Sequence, residues 1–169
     1  MGMRDGFLNE YDHEMGTTRK VLERVPEDKT DWKPHNTSMP MGRLAGHIAE
    51  MIGFGAMTFQ GDSFDFRAPG APPPTPTVMT SRKQLLELFD KNAAATREAV
   101  AKASDEDMLK TWTLLAGGNT IFSLPRIAVM RTMILNHAIH HRGQLSVYLR
   151  MNQVPIPSIY GPSGDEGKM

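Results

Sequence analysis

Six histidines and no cysteine set the chemistry available to this 169-residue chain. Three of them, His47, His137 and His141, fall where helical periodicity calls for an apolar core residue. A buried imidazole has two ring nitrogens that need hydrogen bonds or a metal ion, and leaving them unpartnered is costly. His137 and His141 are four residues apart, so on a helix they project from one face about 40° apart and can reach a single ion. A third imidazole from a facing helix would complete a set of three nitrogens with coordination positions left open, as catalytic rather than structural sites have. By pattern alone two readings stand: a metal site, or three core histidines held by ordinary hydrogen bonds.

The other histidines offer less. His13 lies about 200° around its helix from the apolar stripe at Tyr11, and His35 sits in a loop. His140 is about 60° from His137, on the flank, where contact with a neighbour or solvent is expected. Glu10-x-x-His13 has the spacing of a di-iron helix, but a second Glu-x-x-His is lacking.

Composition narrows the rest. Without cysteine there can be no disulfide, zinc ribbon, Fe–S cluster or thiolate nucleophile, so His, Asp and Glu must hold any metal. Nineteen basic residues balance nineteen acidic ones, which removes the basic excess that nucleic-acid binding draws on. The N-terminus has no apolar signal core, and apolar runs fall short of the ~18 to 20 residues a membrane span needs. The expectation is a single cytoplasmic domain over residues 1–169 that acts on a small molecule, without nucleic-acid or membrane partners, and with a second copy of the chain as a candidate partner.

Four helical segments can position the histidines. The first carries Phe7, Tyr11, Met15, Thr18, Leu22 and Val25 at spacings of three and four, and Pro26 ends it. Ser38, Met39 and Pro40 read as an N-cap with proline in the first turn of a second helix, striped by Leu44, His47, Ile48, Met51, Ile52 and Phe54 or Gly55. Ser81 and Gln84 have capping-box spacing and open a third helix running through Leu85, Leu88, Phe89, Asn92, Thr96, Ala99, Val100 and Ala103. The fourth begins near Ser123 and Pro125 and carries Ile127, Met130, Ile134, His137, His141, Leu145 and Tyr148 over about 27 residues. Residues 60–79, rich in proline, read as a stiff extended crossover that is neither helix nor central strand. Residues 111–122 alternate around Gly117-Gly118-Asn119 and read as a short hairpin or open loop. The expected fold class is all-α, a four-helix bundle with a long crossover between helices two and three.

The stretch Leu135-Asn-His-Ala-Ile-His-His-Arg-Gly-Gln-Leu-Ser-Val-Tyr-Leu-Arg150, followed by Pro155-Ile-Pro-Ser-Ile-Tyr-Gly-Pro-Ser-Gly-Asp-Glu166, resembles the C-terminal signature of the DinB family. Trp32-Lys-Pro34, Ser38 and Leu44-Ala-Gly-His47-Ile resemble that family's second-helix region, so the resemblance runs along nearly the whole chain. It implies the DinB/YfiT-like four-helix bundle and a metal triad that falls on His47, His137 and His141. Characterised members of that family include thiol S-transferases and a maleylpyruvate isomerase that use low-molecular-weight thiols such as bacillithiol or mycothiol. The resemblance therefore implies a thiol S-transferase-like enzyme with a thiol cosubstrate.

Three neutral imidazoles suit Zn²⁺ or Ni²⁺ first, and also accept Fe²⁺ or Co²⁺. A coordinated thiol loses its proton and becomes a nucleophile, whereas a coordinated water of lowered pKa would hydrolyse esters or amides. A non-enzymatic bundle that binds metal or dimerises is the third class. Gln144, on the same helix face as His137, is a candidate to bond a ligand or substrate, and Glu50, beside His47, a candidate to orient that imidazole; both fit ordinary polar flank as well. Arg142 points about 100° from His141, which favours packing or surface over an anionic substrate, and Arg150 is a further candidate for such a contact. Tyr148, Met51, Met130 and Met133 read as core.

Overall fold

The computed structural model describes residues 2–72 and 75–167, so Pro73 and Pro74 of the proline run lie outside the described residues. Helix α1, Met3–Leu22, buries Phe7, Tyr11, Met15, Thr18 and Leu22, the expected stripe, and Val25 is buried just beyond its end. Helix α2, Met41–Ile52, starts one residue after Pro40, which itself occupies the cap position. Ser38 supplies no side-chain cap there, contrary to expectation, because proline fixes φ at the start and its missing N–H is one the first turn leaves unpaired anyway. A short α3, Phe54–Met57, prolongs α2. Helix α4, Arg82–Lys102, is capped by Ser81, whose hydroxyl accepts from the Gln84 N–H at 3.2 Å. The Gln84 side chain turns instead to the Thr80 hydroxyl, so the reciprocal half of the box is not made.

After a short α5, Asp105–Leu109, the chain forms two strands, β2, Thr111–Ala116, and β3, Asn119–Pro125. They pair antiparallel around Gly117 and Gly118, both at positive φ, as a two-residue hairpin turn requires. Strand β1, Ser63–Asp65, pairs parallel to β2, giving the order β1-β2-β3. The Asp65 carboxylate pins this edge by accepting from the Gly117 and Gly118 N–H groups at 2.8 and 2.7 Å. The expectation of a purely α protein is therefore corrected: β1 lies within the connection read as proline-rich crossover, and pairs with a hairpin some fifty residues away. Such long-range pairing leaves no periodic trace in so short a segment.

The last helical run is continuous from Arg126 to Met151: α6, Arg126–Val129, then a π-helical stretch, Met130–Asn136, then α7, His137–Met151. Ser123, expected at its start, belongs to β3. Helix α2 packs against α4 and α7, and α1 packs against the same two, so the four runs enclose one core that includes Tyr11, Leu44, Ile48, Phe89, Ile134 and Leu145. Among the described residues, no helix is long and apolar enough to cross a membrane.

Candidate metal centre

The π-helical stretch decides how the fourth run presents its histidines. Its i→i+5 bonds turn the chain less per residue than an α-helix does. The line of fully buried residues consequently passes through Ile134, Ala138, Arg142, Leu145 and Leu149. His137 and His141 are displaced to the flank that faces α2, half-buried and buried respectively, instead of the centre of the stripe where simple α periodicity puts them. Half-buried His47 meets them from α2.

The three rings lie 4.6 to 5.3 Å apart between centroids. One nitrogen from each falls within 4.8 Å of the other two. His47 Nδ1 is 3.1 Å from Glu50 Oε1, and a carboxylate can only accept, so that nitrogen carries the proton. His141 Nδ1 is 2.7 Å from Gln144 Oε1 and donates to it in the same way. His137 Nε2 faces His141 Nε2 at 2.8 Å. These tautomers are assigned from the partners. The outer nitrogens of His47 and His141 are thus donors with acceptors in place, which leaves the inner nitrogen of each ring a lone pair for the centre of the trio.

Two lone pairs at 2.8 Å repel unless a proton or a cation lies between them. Burial, then the neighbouring His141 and His47, lower the His137 pKa to about 4, and burial lowers that of His141 as well, which disfavours an imidazolium between the two rings. A divalent cation is the species this donor set fits, and Glu50 and Gln144 orient the His47 and His141 rings for it.

Glu50 is itself held rigidly. Its Oε1 also accepts from Arg43 Nη2 at 2.8 Å, and its Oε2 from the Thr77 N–H at 2.7 Å. Burial alone would raise its pKa, but the Thr77, His47 and Arg43 contacts outweigh that and hold it below the usual glutamate value. Thr77 reaches this position because α2 carries glycine at 46, where a Cβ would stand 2.3 Å from the Thr77 carbonyl oxygen. Arg43, His47 and Glu50 share one helix face at spacings of four and three, a signal present in the sequence, whereas the contribution of Thr77 depends on the crossover folding back onto α2.

Beside the histidines lies a cavity of about 330 Å³ between the helices and the sheet. Its walls comprise Met51, Phe54 and Thr58 after His47, Val129, Met133 and Ile134 before His137, and Phe66, Trp112, Leu114 and Phe122 from the sheet and its edge. Met51 and Met130 are buried as expected, but Met133 is 36% exposed and lines this cavity instead of filling the core. Arg126 holds the floor, donating to the Thr58 and Gly61 carbonyls at 2.9 and 3.0 Å and pairing with Asp62 at 2.9 Å. His13, His35 and His140 are exposed. The sheet residues escaped notice because strand alternation says which side chains share a face but not what that face covers.

Residues 10–145 match the DinB superfamily. The chain belongs to the DinB superfamily. This DinB chain is 26% identical over 162 residues to the uncharacterized protein YrdA of Bacillus subtilis strain 168, covering 96% of this chain and 90% of that one. It superposes on a DinB-like protein from Bacillus cereus ATCC 10987 with a TM-score of 0.68 and 25% identity, over 92% of this chain and 97% of that one. The DinB-like protein YjoA of Bacillus subtilis has the same fold, with a TM-score of 0.68 and 19% identity over 91% of this chain and 97% of that one.

Proposed function

We propose that this DinB protein is a divalent-metal-dependent enzyme that transfers a low-molecular-weight thiol to an electrophilic small molecule. The observation that carries the reading is the convergence of one ring nitrogen from each of His47, His137 and His141 beside an apolar cavity. His47, His137 and His141 would hold the ion, with Zn²⁺ or Ni²⁺ the first candidates and Fe²⁺ or Co²⁺ after them. Bound there, the ion supplies a Lewis acid that keeps a thiol in its thiolate form. The chain has no cysteine, so the sulfur must come from a cosubstrate.

The protein's own groups position and exclude. Glu50 and Gln144 act as positioning residues that fix the tautomers of His47 and His141. Glu50 is not the base that removes a proton, because both its oxygens are engaged and its pKa lies below the ordinary value. The hydrophobic wall limits water at the reacting end, which favours transfer to sulfur over hydrolysis. In the overall substitution an S–H bond and the bond from carbon to its leaving group break, an S–C bond forms, and the leaving group departs with the electron pair while the proton goes to solvent.

The test is to incubate Zn²⁺-loaded protein with a panel of thiols and monochlorobimane. Conjugation that stops on chelation and in His137→Ala is the expected result. Turnover of ester or amide substrates without thiol would replace transfer by hydrolysis, and equal metal content in wild type and His137→Ala would remove the site altogether.

A further inference from the structure

The cavity beside the histidines constrains what the enzyme acts on. Its titratable lining residues are His47, His137 and Glu50, all at one end. Lysine, arginine and aspartate are missing from the lining, and Glu50, already bonded to Arg43, His47 and Thr77, places negative charge at that end. The remaining wall is hydrocarbon and aromatic ring, with Thr58 the single hydroxyl-bearing residue. The Thr58 hydroxyl is itself spent on the Phe54 carbonyl at 3.0 Å. Trp112 lends only carbon to the wall, since its Nε1, which has no hydrogen-bond partner, is sealed from the surface. A charged group seated against this wall, away from the histidine end, would lose its water and find no counter-ion there.

Size and access agree. About 330 Å³ is the room of roughly ten waters at ~30 Å³ each, which suits a molecule of one or two rings. Phe54 and Met133 both line the cavity and are 41% and 36% exposed, which marks its mouth between α3 and the π-helical stretch.

We infer that the molecule acted on is uncharged, with a ring-sized apolar body seated among Phe66, Trp112, Leu114 and Phe122 and its one polar functional group directed to the histidine end. This deepens the reading above and rests on the three histidines being the reactive end. It assigns the cavity to the electrophile and leaves the polar thiol to approach from the side of Arg43, Gln144 and His140.

Two unreactive probes with the same hydroxymethyl head test this: para-methylbenzyl alcohol and para-(hydroxymethyl)benzoate. They are titrated separately into Zn²⁺-loaded protein, following methionine methyl signals by NMR with Met51 and Met133 assigned. The neutral probe should shift Met51 and Met133 and bind at least tenfold tighter than the carboxylate. Leu114→Lys, which puts an ammonium into the wall, should erase or reverse that order, while Leu114→Met keeps it. Equal or tighter binding of the carboxylate to wild type overturns the inference, as does absence of binding or a response confined to other methionines; these outcomes need no variant to fold. The expected order together with absent thiol transfer keeps the cavity assignment and removes the transferase reading. Thiol transfer together with the wrong order does the reverse.

Discussion

His141 and Arg142 are consecutive on α7, yet they belong to two buried polar clusters of opposite character. Arg142, 1% exposed, pairs with Glu14 of α1 at 2.7 Å, and also donates to Thr18 Oγ1 and the Glu14 carbonyl at 3.2 and 3.3 Å. The Tyr160 hydroxyl accepts from Arg142 at 2.5 Å and donates to the Glu14 carboxylate at 2.9 Å. Opposite charges meet, donors face acceptors, and α1, α7 and the C-terminal segment are tied together. At the histidine trio the outer nitrogens of His47 and His141 are well served, but the inner ones of His137 and His141 present lone pair to lone pair. Polar burial alone therefore says little about function. A cluster that closes on itself is architecture, whereas one satisfied on every side but its centre is built for something that enters.

The sharpest way to break the contrast is His137→Ala. It should abolish the bound ion, from about one per chain to none, while the Arg142 cluster and the fold persist; metal analysis alongside circular dichroism checks both. The mirror experiment is Glu14→Ala, which strands a buried guanidinium and should cost ~3–5 kcal/mol in denaturant unfolding, yet leave the folded protein's metal affinity unchanged. If Glu14→Ala emptied the metal site in folded protein, the two clusters would be one unit.

Smaller effects sharpen the comparison. Glu50→Gln removes the charge that holds the His47 proton and should weaken metal binding by ~10–100-fold in competition titrations, with little change in stability. The last prediction concerns pH. The folded-state pKa of His137 is lowered to about 4 from an ordinary 6.5, so between those values the unfolded chain takes up a proton there that the folded chain does not. Metal-free protein should therefore keep its full stability above pH 6.5 and lose part of it as pH falls toward 4. His141 acts in the same direction, and His137→Asn should flatten the slope, as measured by denaturant unfolding across that range.

Much of this was legible in local pattern. The stripe of α1, the Ser81 cap of α4 and the Gly117-Gly118 hairpin follow from periodicity and turn chemistry, which act within a few residues. The histidine trio stood out for a related reason: imidazoles at positions where hydrocarbon was expected. Arg142 was harder, since its acidic partner lies 128 residues away and its position fitted packing or surface alike until the fold placed it in the core. Met133 was misplaced by the change of register in the π-helical stretch, and the sheet residues that wall the cavity could not be assigned to it before β1, β2 and β3 were seen to pack over the helices.

The sequence by itself determined the ligand chemistry: no thiolate, no net charge, and three histidines on two helices, because residue type and helical spacing are local properties. Tertiary structure decided that the three rings converge, that Glu50 is anchored by Thr77 of the crossover, and that an apolar cavity adjoins the site. Those features depend on contacts between segments distant along the chain, and on a helix whose turns widen where uniform periodicity gives no sign of it.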